Sequence, residues 1–566
     1  MKAMLRGWAG ASAIGLSLVA SPALAQFKLG TPEYGGTLEI STVRPAISAL
    51  SFDNYDWPWK HNHDTGGVYE QLFVADISKA RSRGGNYSLT DSYVPTDLMR
   101  GELAEKWEWK EDPLRLVVTL RKGVMFPEKP GVMKARELVA DDVVYTFKRQ
   151  VSSPKATQNY YDYVKDVTAP DKHTVVFELN EFNAEWDYRF GYGYYSAILP
   201  KEVAEAGASD WKNANGTGPF KLTDYVQGNS QTYEKNPDYW GKETIDGKEY
   251  KLPYVNKIVY RIIKDESTRV TALRTGKLDI METVRWQDYE TLKKAVPDLK
   301  WNKYLSNLGT LMAMRVDVKP FDDIRVRRAM NLAINKEEII KVYYNGYAEM
   351  FAHPQHPDYG AYFQPLNEQP PSVQELFKYE PAKAKKLLAE AGYPNGFTFK
   401  AQVCSCNPDH IDLIPLVSAY LEQVGVKMEV QTMEYAAFLS AMTSLTNAPG
   451  YFMDASQVNP TTTIRKNFVP GQVWNPSQWN DPKLTARMEA VYKERDESKR
   501  VSELRAMTTE MLDKAPYLWL PVRYNFAAWW PWVKGYAGEL RAGAERPWPI
   551  YARIWIDQDL KKKMGY

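Results

Sequence analysis

The sequence has no excess of charge of either sign: 72 Lys plus Arg stand against 70 Asp plus Glu. That balance argues against a dedicated nucleic-acid binder, which carries a strong basic excess. Cysteine is scarce, with Cys404 and Cys406 the only two, so a disulfide-stapled small domain is excluded. Beyond the N-terminus there is no run of about 18 uncharged apolar residues, the length a membrane-crossing helix needs. Histidine is limited to His61, His63, His173, His353, His356 and His410. The chain has no His-Glu-x-x-His, no Gly-x-Ser-x-Gly, no Gly-x-Gly-x-x-Gly and no phosphate loop, and thus none of the common signatures of zinc peptidases, serine hydrolases, dinucleotide enzymes or nucleotide hydrolases. Low-complexity tracts and internal repeats are also missing.

What is present is a long chain with an ordinary globular composition. Its 566 residues are too many for one core, so several lobes are expected. The 37 Tyr and 18 Trp supply flat rings suited to a concave binding site, and equally suited to a large core.

Residues 1–25 read as an export signal. Lys2 and Arg6 precede an apolar stretch from Trp8 to Ala20, and Ala23-Leu24-Ala25 is a small-residue cleavage pattern, so the mature chain is expected to begin at Gln26. Gln in place of Cys at that position gives no sign of a lipid anchor. A periplasmic location follows from this reading. An oxidising compartment permits a Cys404–Cys406 bridge if the chain kinks there; the bridge and two free thiols both remain open.

Strands are expected at 37–41, 114–120, 174–179, 258–263, 397–403 and 427–431, where Val, Ile, Phe and Thr are concentrated and several segments alternate. Helices are expected at 324–334, from Asn335 onward with Glu338 completing a capping box, at 382–391 between Pro381 and Gly392, and at 411–424 before Gly425. The order helix, strand, helix, strand over 379–431 is an α/β unit. His61-Asn62-His63-Asp64 places two imidazoles on one face of an extended segment, but without a third ligand it reads as surface or hydrogen-bonded histidine. Asp141-Asp142 and Asp322-Asp323 stand at helix starts, where capping explains them better than acid–base chemistry.

A series of motifs runs in order through the mature chain. It includes Leu103-Ala104-Glu105-Lys106-Trp107-Glu108-Trp109, Ala140-Asp141-Asp142-Val143-Val144-Tyr145-Thr146-Phe147 and Gly216-Thr217-Gly218-Pro219-Phe220 with Lys235-Asn236-Pro237-Asp238-Tyr239-Trp240. Ala272-Leu273-Arg274-Thr275-Gly276-Lys277-Leu278-Asp279-Ile280 and Pro320-Phe321-Asp322-Asp323-Ile324-Arg325 continue it. Together these resemble the family 5 extracellular solute-binding proteins of peptide-, opine- and nickel-type ABC importers. The resemblance implies an α/β, periplasmic binding protein-like fold of type II, three-lobed, closing by a hinge. Lobe I would take 26–75, 205–305 and 530–566, lobe II 76–204, and lobe III 306–529. It implies a receptor and not an enzyme, with no cofactor and no metal, acting as a monomer. Its partners would be a small-molecule ligand (a peptide, an opine or an oligosaccharide) and ABC permease subunits with their ATPases, and no nucleic acid.

The same resemblance gives candidate ligand contacts. Gly450-Tyr451-Phe452-Met453-Asp454 is similar to a Gly-Trp-x-x-Asp pattern of peptide receptors, whose Asp pairs with the peptide's α-ammonium; carried over, Asp454 is the anchor and Tyr451 the aromatic beside it. The Asp-Pro that usually follows is Asn459-Pro460 here, so Asn459 brings no charge. Trp57-Pro58-Trp59 and Tyr69 lie where the family's chain runs near the pocket; Trp57, Trp59 and Tyr69 either line it or cover a core edge. Gly216–Phe220 is expected to be a structural crossing rather than a ligand contact.

Overall fold

The computed structural model describes residues 29–42, 46, 48–56, 62–156, 160–456 and 458–566. The export segment, Trp57, Trp59 and His61 lie outside the described residues.

Four sheets organise the chain. The first is ordered Thr37–Thr42, Lys257–Ile262, Ser230–Lys235, Phe220–Val226, with the first pair parallel. Alternation sets its faces: Leu38, Ile40 and Thr42 point inward while their neighbours stay half-exposed. The second is an antiparallel sheet, Ala104–Glu111, Leu114–Leu120, Thr174–Leu179, Val164–Asp171, against which the Ala140–Val151 helix packs. The third has five strands in the order Val426–Met433, Phe397–Cys404, Gly450–Ser456, Leu308–Met314, Tyr517–Trp519. A fourth, smaller sheet seats Val522–Trp529 between Ile280–Val284 and Lys300–Leu305.

The join between the last two sheets matters for function. Lys300–Leu305 runs on into Leu308–Met314, and Tyr517–Trp519 runs on into Val522–Trp529. Two short strand-to-strand links therefore cross from one sheet to the other, tied by the Ser306 amide donating to the Arg523 carbonyl at 3.0 Å. A crossing by a few element-terminal residues is the geometry on which lobes rotate.

Sequence-expected strands fall within one or two residues of the observed ones: 114–120 and 174–179 match, and 427–431 extends to Val426–Met433. The helix expected at 411–424 begins three residues earlier, at Pro408, because Asn407 is its N-cap and Pro at the first turn loses no needed hydrogen bond. Asp323 caps the Ile324–Leu332 helix, and Asp142 accepts from the Val139 amide at the start of its own helix, so the carboxylate pairs serve helix ends. Asn335 caps the next helix, its Oδ1 accepting from the Glu338 amide, but the Glu338 carboxylate accepts from Asn335 Nδ2 and not from the Asn335 amide, so the expected capping box is only half formed. Gly216–Phe220 lies flat against the 67–68 backbone: the Gly218 amide bonds the Val68 carbonyl, and a Cβ on Gly218 would sit 2.4 Å from the Gly67 oxygen. Only glycine allows that approach. Cys404 and Cys406 form a disulfide at the end of the Phe397–Cys404 strand.

Candidate functional site

The Gly450–Ser456 strand is central in the five-stranded sheet, antiparallel to Leu308–Met314 with Thr310 opposite Asp454. Asp454 meets the start of the Pro408–Glu422 helix. Asn407 Nδ2 donates to Asp454 Oδ2 at 2.8 Å, and His410 Nε2 lies 3.0 Å from Oδ1. The hydrogen on His410 is assigned to Nε2 from this contact, since Nδ1 is buried without a hydrogen-bond partner among the described residues. Asn407 also accepts from the His410 amide, so one residue caps the helix and orients the carboxylate. The Asp454 side chain keeps 22% of its surface exposed.

Charge behind this group is fixed by Asp409. It lies 2.7 Å from Arg285 and 2.9 Å from Arg523, ion pairs that join the helix start to the crossing sheet. His353 packs over the neighbouring strand, where its ring takes the space a Cβ on Gly309 would need. Burial, and then His356, push the His353 imidazole down to about 3. His356 is lowered by burial too, while burial pushes the facing Asp91 carboxyl up to about 8. His356 Nδ1 stands 3.9 Å from that carboxyl, and Tyr359 meets Tyr93 edge-on at 5.1 Å. These contacts lie along a seam between residues 91–93, before the second sheet, and the 353–359 segment.

The other side of the seam is built by the Pro460–Phe468 helix, which is buried along its whole length. Asn459 caps it: Oδ1 accepts from the Thr462 amide at 2.7 Å. Thr462 Oγ1 donates to Glu185, which also holds Arg189 at 2.7 Å. The Ala184 amide donates to the Tyr492 carbonyl at 2.7 Å.

The structure thus separates the sequence-derived candidates. Tyr451 and Asp454 are three residues apart on a strand and point to opposite faces. Tyr451 is fully buried, stacked on Phe438 at 4.2 Å with its hydroxyl on the Phe438 carbonyl, so its ring is not brought beside the carboxylate. Tyr69 is buried in the core, its hydroxyl raised by desolvation. Asn459 serves a helix end. His63 is buried between Asp64 and the Tyr260 hydroxyl. Sequence reasoning missed His410, Asn407, Arg523, Glu185, Arg465 and Lys466. Asn407-Pro408 was the one local signal, an N-cap pattern that points at the following imidazole.

The chain belongs to the bacterial extracellular solute-binding proteins, family 5, whose model (family 5 Middle) matches residues 99–468. Among curated relatives, heme-binding protein A of Haemophilus influenzae is 27% identical over 462 residues, 77% of this chain and 81% of that one. The dipeptide-binding protein of Escherichia coli K12 is 29% identical over 397 residues, 66% of this chain and 71% of that one. Among solved structures, the periplasmic binding protein DppA from Helicobacter pylori in complex with the peptide STSA superposes with a TM-score of 0.73 at 25% identity, covering 93% of this chain and 99% of that one. AgaA in complex with agropinic acid from A. tumefaciens R10 shares the fold, with a TM-score of 0.72 at 20% identity and 92% and 99% coverage. The fold is that of the periplasmic binding proteins of this family.

Proposed function

We propose that this protein is the periplasmic receptor of an ABC importer, capturing a peptide or peptide-like solute and passing it unchanged to a membrane permease driven by ATPases. The observation that carries the reading is the crossing at 305–308 and 519–522, two links on which lobe III rotates against lobe I (26–75, 205–305 and 530–566); because Val522–Trp529 pairs with Ile280–Val284 and Lys300–Leu305, we end lobe III at the 519–522 link and not at 529. Lobe II (76–204) moves with lobe I and forms the far wall of the seam. Capture needs closure to be favoured by ligand, and ligand shifts that equilibrium only by its differential affinity for the closed form. The protein works as a monomer and needs no nucleophile, since nothing is bonded or cleaved.

Asp454 is the anchor for a cationic nitrogen of the ligand, with Asn407 and His410 as positioning residues. Relatives named for dipeptide binding, and a structural neighbour holding a peptide, support this ligand class. The test is native mass spectrometry of protein purified from the periplasm without refolding. One retained ligand with a primary amine is expected. A retained neutral oligosaccharide would refute the peptide reading and transfer the role to the rings of the cleft; a retained opine would keep the anchor and change the solute.

A further inference from the structure

The chain's only two cysteines stand directly before the residue that orients Asp454. Cys404 ends the Phe397–Cys404 strand, Ser405 follows, and Cys406 closes a covalent ring back onto Cys404. Asn407 comes next and makes three bonds at once. Its Oδ1 accepts from the His410 amide, its Nδ2 donates to Asp454, and its own amide donates to the Cys404 carbonyl at 3.3 Å. The middle of the ring is pinned to the neighbouring strand: the Ser405 amide and hydroxyl both donate to the Met433 carbonyl, at 2.9 and 3.1 Å. Ring, turn and helix cap are consecutive in the chain, so the bridge sets the direction from which Asn407 meets the carboxylate. A ring this short takes little entropy from the unfolded chain and adds little to global stability. Its consequence is local, and it falls on the cap.

The two cysteines differ in access. Cys404 is 2% exposed, whereas Cys406 is exposed. Exchange begins with attack of a thiolate on a disulfide sulfur that it can reach, and Cys406 is the one in reach. The attacking sulfur bonds to Cys406 Sγ, the bond between the cysteines breaks, and its electron pair leaves on Cys404 Sγ. The Cys406 amide already donates to that sulfur at 3.1 Å, and a hydrogen bond to the charged form favours the leaving thiolate. The second thiol of a dithiol then displaces Cys406. The dithiol ends as its cyclic disulfide, and the protein gains two electrons and two protons as two thiols.

We propose that the Cys404–Cys406 bridge is a redox-modification site that positions Asn407, and that a dithiol opening it loosens Asn407 from Asp454 and weakens solute capture. The last step rests on the receptor reading above. The reagent is dithiothreitol, with alkylation and intact mass to count thiols, and the folded protein should yield two thiols with its melting temperature nearly unchanged. Protein labelled at histidine Cε1 then reads the cap without any ligand, the His410 signal being identified by its loss in His410→Gln. Reduction should move that signal and leave the one from His173, which pairs with Glu137 in another sheet, in place. Cys404→Ser with Cys406→Ser should show the moved signal at all times. A pool of unmodified dipeptides should bind about tenfold more weakly after reduction, the worth of one hydrogen bond to a charged group, and recover on reoxidation with diamide. In Asn407→Ala, binding should be weak in both states and insensitive to reduction, because the residue that carries the coupling is gone. A bridge that survives excess dithiothreitol in the folded protein, a His410 signal that reduction leaves in place, or a pool bound equally well in both states would each overturn the proposal. Oxidised protein that binds no dipeptide while its His410 signal still moves on reduction would support the redox site and refute the peptide reading.

Discussion

Replacing Asp454 by Asn tests the anchor with almost no change of shape. The carboxylate is bonded by Asn407 and lies beside His410, so an amide in its place keeps one of those contacts by presenting its oxygen to Asn407. What disappears is the charge. Breaking one half of a desolvated charge pair costs about 2–5 kcal/mol. With 22% of the side chain still exposed, solvent screening places the effect at the low end, about 2–3 kcal/mol, or about 30- to 150-fold in affinity. A neutral hydrogen bond lost at the same place costs about 0.5–1.5 kcal/mol, tenfold at most. Isothermal titration of the stripped variant with the identified ligand separates the two. A loss smaller than about tenfold refutes the ammonium anchor, and a large fall in the empty protein's melting temperature would show that Asp454 is structural.

Four further outcomes follow from the same geometry. Asp409→Ala takes from the buried Arg523 the one ion pair it makes among the described residues, while Arg285 keeps Asp412 and Glu266, and should destabilise the protein by about 3 kcal/mol in urea unfolding. His353 is held near 3 in the fold and returns to about 6.5 when unfolded, so between those values the unfolded chain binds the extra proton and stability from this group falls as pH drops; His353→Gln should flatten the loss of melting temperature between about pH 7 and pH 5. Exported protein should have an intact mass beginning at Gln26 and short by two hydrogens for the Cys404–Cys406 bridge, and a retained N-terminal segment would show an anchor instead. Replacing both cysteines by Ser should change stability little, because so short a loop constrains the unfolded chain only slightly.

The sequence made the regular elements legible because their signals are local. Alternation at Thr174–Leu179, Pro381 and Gly392 around one helix, and Asp323 before another depend on neighbours in the chain. The site was only partly legible because it is assembled from distant pieces. Asp454 could be singled out by a motif, but His410 is 44 residues away and reaches it only because the strand and the helix start lie side by side. Tyr451 shows the limit of motif transfer: strand alternation sends it to the opposite face from Asp454, where Phe438 stacks on it. Asn459 reads as a missing charge in the sequence and is a helix cap in the fold. The buried Pro460–Phe468 helix gave no signal in the sequence, since its burial depends on packing against distant residues such as Glu185 and Tyr160.

The central claim is that two lobes close on a solute that is not altered. It is tested most directly by small-angle scattering on ligand-stripped protein before and after adding back the ligand recovered from the native preparation, with mass spectrometry of the ligand afterwards. The account predicts a saturable decrease in radius of gyration and recovery of the ligand unchanged. An unaltered radius at saturating ligand, or conversion of the ligand by the pure protein, would contradict it.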